Sequence, residues 1–234
     1  MKKFILAFIM FFVMTSASFA DSNVYITQSG AALDLDITLD GNANAVGASN
    51  DRTLLTGANL DVDIDLIGAT NTITGDFIGT GESGSDDLKI SQTGSTNTTA
   101  LNVGASASTD DVKILETRVG SSGVTSYIIG STATVQDVSV TVDVVGDDID
   151  IALTENSSSS GSDKTTDIDI ATDSDDVDII VTHTGAGAHK TKLLCTGACG
   201  TSDFTFSQTG ANSTDVDLVV TNAAGSDVDI TITD

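Results

Sequence analysis

Residues 202–221 constrain the fold more than any other stretch, because their apolar side chains alternate with polar ones. The stretch reads SDFTFSQTGANSTDVDLVVT. Phe204 and Phe206 lie two residues apart, a polar segment containing Gly210 follows, and the alternation resumes at Val216. Period-two alternation is typical of a β-strand with one buried face. The stretch therefore predicts a strand, a glycine-containing turn and a second strand.

The same unit recurs along the chain, which indicates a repeat architecture. It appears as SNVYITQSG followed by LDLDITLDG in residues 22–41, and as DLKISQTGSTNTTALNVG in residues 87–104. Strand-like segments begin at intervals that cluster near about 25 residues, which is the size of a solenoid rung. A unit this short cannot bury its apolar face alone. We therefore predict one elongated all-β domain over residues 21–234, a β-solenoid of about eight stacked strand-turn-strand repeats.

Wider gaps separate some of these strand-like segments. We interpret the gaps as rungs that carry insertions or degenerate strands, with excursions at residues 42–60, 155–166 and 183–201. The last excursion contains Lys190 and Lys192, which form either a basic docking patch or an ordinary loop.

The first twenty residues, MKKFILAFIMFFVMTSASFA, predict a secretory signal peptide. Two lysines precede an apolar run from Phe4 to Met14, and Ser18 and Ala20 stand at the −3 and −1 positions of a cleavage site before Asp21. The run is well short of the roughly 20 apolar residues that span a membrane. We therefore expect a secreted protein, located outside the cell or on a bacterial cell surface.

The chain is strongly acidic, with a formal net charge of −25 at pH 7. This charge excludes nucleic acid as a natural partner. The aspartates alternate with Val, Ile and Leu, as in LDVDIDL and DVDLVV, and this order favours β-strands over a disordered acidic tail. Outward-facing aspartates of neighbouring rungs would repel one another. We expect them to be solvated or to associate diffusely with Ca²⁺, and we expect no specific metal site and no other cofactor.

Three of the repeats share a Gln-x-Gly step after the first strand, at Gln28 and Gly30, at Gln92 and Gly94, and at Gln208 and Gly210. Ser22 and Ser202 precede two of these glutamines by six residues, and Asn97 and Asn212 follow two of them. In this pattern the three segments resemble curlin repeats, the units of bacterial curli fibres. The second glutamine of that repeat is replaced here, by Leu39 and Val103 where it can be placed. The resemblance covers about three of the eight predicted rungs.

The resemblance implies export by a bacterial outer-membrane secretion machinery and self-assembly into a homopolymeric surface fibre for adhesion or biofilm matrix. Amide side chains stacked in register can hydrogen-bond along a stack. The candidate assembly ladder is therefore Gln28, Gln92, Asn97, Gln208 and Asn212, and the candidate turn glycines are Gly30, Gly94 and Gly210. The alternative is that these glutamines are ordinary polar residues near turns.

Cys195 and Cys199 are the only two cysteines of the chain. In an exported protein they predict a local disulfide. The alternative is a zinc site that also uses His183 and His189, although this spacing matches no common zinc module.

The sequence contains no recognisable catalytic motif, so we expect neither an enzyme nor a small-molecule substrate. The alternative to a fibre subunit is a monomeric surface-exposed solenoid that binds calcium, mineral or ice. Asp-x-Asp pairs support the calcium interpretation. Thr-x-Thr pairs within residues 70–74, 96–98 and 132–134 support the ice-binding one.

Overall fold

The computed structural model describes residues 21–29, 32–47, 53–79, 86–104, 111–130, 137–156, 163–171, 174–185, 187–196, 199–210, 213–221 and 225–233. The predicted signal peptide lies outside these residues. In the described part of the chain, no helix has the length and hydrophobicity needed to cross a membrane.

The strands are, in chain order, β1 (Ser22–Val24), β2 (Thr27–Ser29), β3 (Asp34–Asp40), β4 (Ala43–Val46), β5 (Thr53–Gly57), β6 (Asp61–Ile67), β7 (Thr70–Gly79), β8 (Asp86–Thr93), β9 (Thr96–Val103), β10 (Val112–Val119), β11 (Ser122–Ile129), β12 (Val138–Val145), β13 (Asp148–Asn156), β14 (Lys164–Ile170), β15 (Ser174–Thr184), β16 (Ala188–Cys195), β17 (Cys199–Thr209), β18 (Ser213–Val220) and β19 (Asp227–Thr233).

These strands form two parallel sheets, and the chain alternates between them. Sheet A has the order β1-β4-β7-β9-β11-β13-β15-β17-β19, with β2 beside β5 and β5 beside β7. Sheet B has the order β3-β6-β8-β10-β12-β14-β16-β18. Each coil therefore contributes one strand position to each sheet, and the predicted all-β solenoid of stacked repeats is confirmed.

The strand register fixes the length of the repeat. Val112 of β10 pairs with Val138 of β12, 26 positions later. The offset reaches 28 where Asp148 pairs with Asp176, and it is smallest, at 22, where Ser22 pairs with Asn44 and where Thr53 pairs with Gly75. A repeat of nearly constant length stacks equivalent residues of successive coils into columns, so a side chain can be described by the column that it occupies.

Alternation along each strand separates the core from the surface. In β6 the side chains of Val62, Ile64 and Leu66 are buried, whereas the aspartates between them face outward. The same pattern in most other strands gives an interior between the two sheets that is apolar apart from a number of buried polar side chains. The predicted orientation of the aspartates is therefore correct for these strands, although Asp86 at the start of β8 is buried and accepts a hydrogen bond from the Leu60 amide at 2.8 Å.

One of the predicted irregular rungs, at residues 183–201, is wrong, because β16 and the adjoining ends of β15 and β17 lie there. Residues 42–60 do carry an insertion: Val46 and Thr53 pair with Ile73 and Gly75, so the segment between β4 and β5 stands where β7 has only Thr74. In the remaining one, 155–166, both ends lie in β13 and β14 and residues 157–162 lie outside the described part. The sequence did not predict β16 because polar residues and a histidine occupy its inward positions and hide the apolar alternation. Lys190 and Lys192 accordingly lie on β16, on its outward face, and not in a loop.

Glycine is required at the short turns that lead from sheet B back to sheet A. A Cβ atom on Gly94 would overlap the backbone carbonyl oxygen of Gly68, one coil earlier. The same overlap relates Gly120 to Gly94. Successive coils therefore approach closely at this edge, and Gly94 is a turn glycine for a steric reason.

Candidate functional site

The two ends of the solenoid expose strand edges and part of the core. At the C-terminal end, β19 pairs with β17 on one side only among the described strands. Val228, Ile230 and Ile232 continue the inward-facing columns of β17, yet they are 40%, 48% and 49% exposed. Phe204 and Phe206, one coil earlier in those columns, are each only 1% exposed. The last coil is therefore open to solvent.

The N-terminal end is open in a similar way. β1, β2 and β3 form the other edges of the two sheets. Ile37 of this first coil is buried, but five other apolar side chains are only partly buried, at Val24, Ile26, Leu33, Leu35 and Leu39. Exposed strand edges beside exposed apolar residues favour pairing with another chain.

The three glutamines of the predicted ladder do not form a stack within the chain. Gln28 and Gln208 belong to sheet A, and Gln92 belongs to sheet B. Their register partners are Leu55 for Gln28, Leu66 and Arg118 for Gln92, and His183 and Ile232 for Gln208. The reason is that the three repeats do not begin in the same sheet. The repeat at 87–104 begins in sheet B, whereas the repeats at 22–41 and 202–221 begin in sheet A.

The remaining predicted residues have different positions. Gln92 is buried, and its amide donates to the Thr98 carbonyl at 3.3 Å. Gly210 ends β17 with a φ of +77°, as expected of a turn glycine. Gly30 and Asn212 lie outside the described residues, and so do Thr132 and Thr134 of the threonine pattern.

Asn97 does belong to an amide ladder, but its partners are asparagines. Asn44 donates to Asn71 at 3.1 Å, and Asn71 donates to Asn97 at 2.9 Å. Asn97 in turn donates to the carbonyl of Val119 at 3.1 Å. Sequence reasoning missed this ladder, although a signal exists, because a glycine precedes each asparagine by three residues, at Gly41, Gly68 and Gly94.

A first polar cluster interrupts the apolar interior at the middle of the solenoid. This Glu116 cluster consists of Gln92, Thr99, Glu116, Arg118, Thr125 and Tyr127, all buried. The Glu116 carboxylate accepts hydrogen bonds from the hydroxyls of Thr99 at 2.8 Å, Thr125 at 2.9 Å and Tyr127 at 2.9 Å. Arg118 donates to Thr125 at 2.7 Å. Opposite charges and hydroxyls from both sheets thus meet in one buried network.

The surroundings of Arg118 are shaped to hold its guanidinium group. A Cβ atom on Gly123 would lie 2.5 Å from Nε of Arg118, so a larger residue at position 123 would force the guanidinium group to move. Burial lowers the pKa of Arg118, and the nearby Glu116 carboxylate opposes that change. Burial, followed by the charge of Glu116, raises the pKa of Tyr127 well above its usual value. Tyr127 therefore stays protonated and remains a hydrogen-bond donor.

A second polar cluster lies further along, where strands β13 to β17 meet. This Glu155 cluster consists of Glu155, Lys164, Thr166, His183, His189, Thr191 and Gln208, all buried. Nε2 of His183 lies 3.2 Å from the Thr166 hydroxyl and 3.4 Å from Glu155 Oε2. Lys164 Nζ lies 3.4 Å from His189 Nε2, and the two histidine rings pack edge to face with centroids 5.3 Å apart.

Burial determines the protonation of the Glu155 cluster. It raises the pKa of Glu155 to about 8, although Lys164 and Thr166 oppose the shift. Burial, with His189 and Lys164 nearby, lowers the pKa of His183 to about 3, and burial and Lys164 lower that of His189 to about 4. At neutral pH both groups are therefore predominantly neutral, so the 3.4 Å contact between His183 and Glu155 is not an ion pair.

Cys195 and Cys199 form a disulfide between the end of β16 and the start of β17. The zinc alternative is wrong, because His189 and Cys195 lie at opposite ends of β16, about 20 Å apart at the usual rise of a strand. The described residues contain no group of three or more His, Cys, Asp or Glu side chains that could hold a metal ion.

Removing the disulfide is expected to destabilise the solenoid modestly, because the closed loop is short. The Cys195→Ser/Cys199→Ser variant should lose about 2 kcal/mol of unfolding free energy. Chemical denaturation of both proteins measures this loss. The wild-type chain under reducing conditions is the matched comparison, and an unchanged denaturation midpoint in both cases would contradict a stabilising role.

The outer face of sheet A is acidic towards the C-terminal end. Its outward aspartates are Asp148, Asp150, Asp176, Asp178, Asp203, Asp227 and Asp229. Partial burial and the neighbouring carboxylates raise the pKa of Asp178. Sheet B is mixed, since Lys192 lies 3.0 Å from Asp167 and Lys89 lies 3.5 Å from Asp63. Carboxylates also repel one another on sheet B, where Asp167 and Asp169 contribute to the raised pKa of Asp143 after its partial burial.

The threonine pattern forms only a small array. Thr70 pairs with Thr96, and Thr72 pairs with Thr98, so four threonines lie in register on the outer face of sheet A. The next coil has Ser122 and Val124 in those columns. An ice-binding surface of stacked threonines would need this pattern to continue, and it ends after two coils in these columns.

Comparisons of the chain with protein-family models, with curated proteins and with solved structures found no match. Function must therefore be inferred from the molecule itself. The side chains of the two polar clusters are buried and out of reach of a substrate, whereas the two open ends are exposed. The ends are accordingly the candidate functional surfaces.

Proposed function

We propose that this chain is a secreted structural subunit whose copies join end to end into an extracellular fibre of the curli-like kind, serving adhesion or biofilm matrix. The observation that carries the proposal is the pair of open ends, where unpaired strand edges lie beside half-exposed apolar side chains. The chain acts here as a structural protein and not as an enzyme.

The side-chain columns support an end-to-end contact. In sheet B the inward columns begin with Leu35, Ile37 and Leu39 in β3. The same columns end with Val216, Leu218 and Val220 in β18. Joining two copies through β18 and β3 would therefore continue apolar columns with apolar residues. Strands within each sheet are parallel, so the second copy needs no reversal of direction.

Such a contact joins two different surfaces of the same molecule. A head-to-tail contact of this kind does not close on itself unless the rotation between copies forms a ring. The expected product is an open filament in which strands run across the long axis at a spacing of about 4.8 Å. Export through a bacterial outer-membrane secretion machinery is the part of the proposal that rests on the curlin resemblance alone.

Assembly is expected to depend on the apolar end and not on exposed isoleucines in general. Ile230→Asp should abolish or strongly delay fibre formation, because it places a charge in the column that the next copy must cover. Ile180→Asp is the matched control, since Ile180 is 50% exposed and Ile230 is 48% exposed, but Ile180 points outward from the middle of sheet A. Thioflavin fluorescence and electron microscopy of the protein without its first twenty residues measure the difference.

Two results would contradict the fibre. The first is a protein that stays monodisperse at high concentration with and without calcium. The second is an equal effect of the two substitutions on assembly.

A second candidate function is favoured by the acidic outer face of sheet A. The chain could act as a monomeric solenoid that binds calcium or a mineral surface through rows of carboxylates. Melting that shifts with millimolar Ca²⁺ but not with equal ionic strength of NaCl, in a protein that remains monomeric, supports this candidate over the fibre.

A further inference from the structure

The two sheets are unequal in a way that matters for joining two copies. Among the described strands, sheet A has nine positions along its path and sheet B has eight. The first described strands, β1 and β2, and the last described strand, β19, all belong to sheet A. Two intact copies placed end to end would therefore bring two sheet A positions together, β19 and the next copy's β1–β2 row, with no sheet B strand between them.

Direct stacking of intact copies would leave a defect in sheet B. If β1–β2 of the second copy paired with β19 of the first, β18 and β3 would be separated by the width of one strand. Both edges would keep unpaired backbone groups inside a covered junction, which is costly. The apolar columns of sheet B would also be interrupted at this point.

The β1–β2 row makes the fewest register pairs of the described strand rows. It consists of two three-residue strands, and each pairs with only three residues, in β4 and β5. Tyr25 and Ile26 separate them, and Tyr25 is 52% exposed. By contrast, β19 is an unbroken strand of seven residues that pairs with seven residues of β17.

We propose that β19 of one copy displaces the β1–β2 row of the next copy and pairs with its β4 and β5. The exchange removes the extra sheet A position, so β18 of the first copy can pair directly with β3 of the second. The inference rests on the proposed end-to-end assembly and specifies its contact.

The register supports the exchange residue by residue. Asp227 of β19 belongs to the outward column that also contains Asn23 and Ala45, so it would take the place of Asn23 beside Ala45 of the next copy. Val228 would likewise replace Val24 beside Val46. β7 already pairs with both β4 and β5 as a single strand, which shows that one unbroken strand fits this row.

Cross-linking distinguishes strand exchange from direct stacking. Copies carrying Asp227→Cys are mixed with copies carrying Ala45→Cys or with copies carrying Asn23→Cys, and the fibres are oxidised. Neighbouring parallel strands lie about 4.8 Å apart, which a disulfide can bridge. Exchange predicts a 227–45 cross-link and no 227–23 cross-link, because Asn23 has been displaced. Fibres with the 227–23 cross-link alone would overturn the exchange but not the fibre, and absence of both fibres and cross-links would overturn the two together.

The rate of assembly supplies an independent test, because strand exchange and direct stacking predict opposite effects of the same substitution. Ile26→Ser weakens the packing of β1–β2 on the core by about 1 kcal/mol, so exchange should become about fivefold faster. Direct stacking should instead become slower, because Ile26 would be part of the contact. Tyr25→Ser is the control, since Tyr25 points outward. A longer lag for Ile26→Ser than for the control would overturn the exchange.

Discussion

Replacing Glu116 by leucine is expected to lower the free energy of unfolding by about 3–5 kcal/mol, because it leaves a buried arginine without its anionic neighbour. Glu116 and Arg118 are 0% and 2% exposed. The substitution also removes the acceptor of three hydroxyl groups, those of Thr99, Thr125 and Tyr127. Each buried donor left unpaired adds to the loss. Urea denaturation followed by circular dichroism measures the change.

A double variant separates the charge effect from simple repacking. Glu116→Leu/Arg118→Leu removes both charges, and it should be less destabilised than Glu116→Leu alone although it changes one more residue. Thr117→Leu is the surface control on the same strand, and it should change stability by no more than about 0.5 kcal/mol. A double variant whose loss equals the sum of both single losses would show that the two charges are not coupled.

The sequence was sufficient to predict the fold because the solenoid is a local repeat. Period-two alternation, as at Val62, Ile64 and Leu66, fixes which face of a strand is buried. A spacing near 26 residues then fixes what lies beside it. Neither inference needs knowledge of distant contacts. The excursion at residues 183–201 was wrongly predicted because His189 and Thr191 occupy inward positions of β16, where apolar residues were expected.

The candidate site was less predictable, because it depends on register between coils and on which sheet a repeat begins in. Gln92 and Gln208 have the same place in their local motifs but lie in different sheets. The inward positions of Glu116 and Arg118 follow from alternation in VKILETRV, yet their partners Thr125 and Tyr127 come from the opposite sheet. The unequal ends also depend on the count of described strands in both sheets, since one additional strand in sheet B would remove the mismatch.

The contribution of the Glu155 cluster to the free energy of unfolding is expected to reach its maximum near pH 6.5. The pKa values of His183 and His189 are lowered from 6.5 to about 3 and about 4, so the unfolded chain binds more protons below pH 6.5. Stability therefore falls on acidification from pH 6.5. The pKa of Glu155 is raised from 4.5 to about 8, so the folded chain binds more protons between these values and stability falls as the pH rises. Between pH 4.5 and 6.5 two histidines outweigh one glutamate, and above pH 6.5 Glu155 acts against folding.

The other charged groups around the cluster also change the dependence of stability on pH, each in a direction set by the shift of its pKa. Lys164 faces both Glu155 and His189, and burial lowers its pKa, so the loss of its proton in the folded chain favours folding at alkaline pH. Asp163 lies near His189 and opposes the lowering of the histidine pKa. On the surface, the raised pKa values of Asp143, Asp150 and Asp178 make acidification favour folding. The histidine contribution must therefore be measured as a difference between variants.

The His183→Gln/His189→Gln variant provides that difference, because glutamine keeps hydrogen-bonding groups at both positions without titrating. Urea denaturation midpoints of the wild type and the variant are compared from pH 4 to 8. The wild type should lose several kcal/mol more than the variant between pH 6.5 and 4, since each pKa unit corresponds to about 1.4 kcal/mol. Above pH 6.5 the two curves should fall in parallel, because Glu155 is present in both. Parallel curves over the whole range would mean that the histidines do not become buried charges on acidification. A steeper fall of the variant would contradict the assignment of the acid-side loss of stability to the histidines.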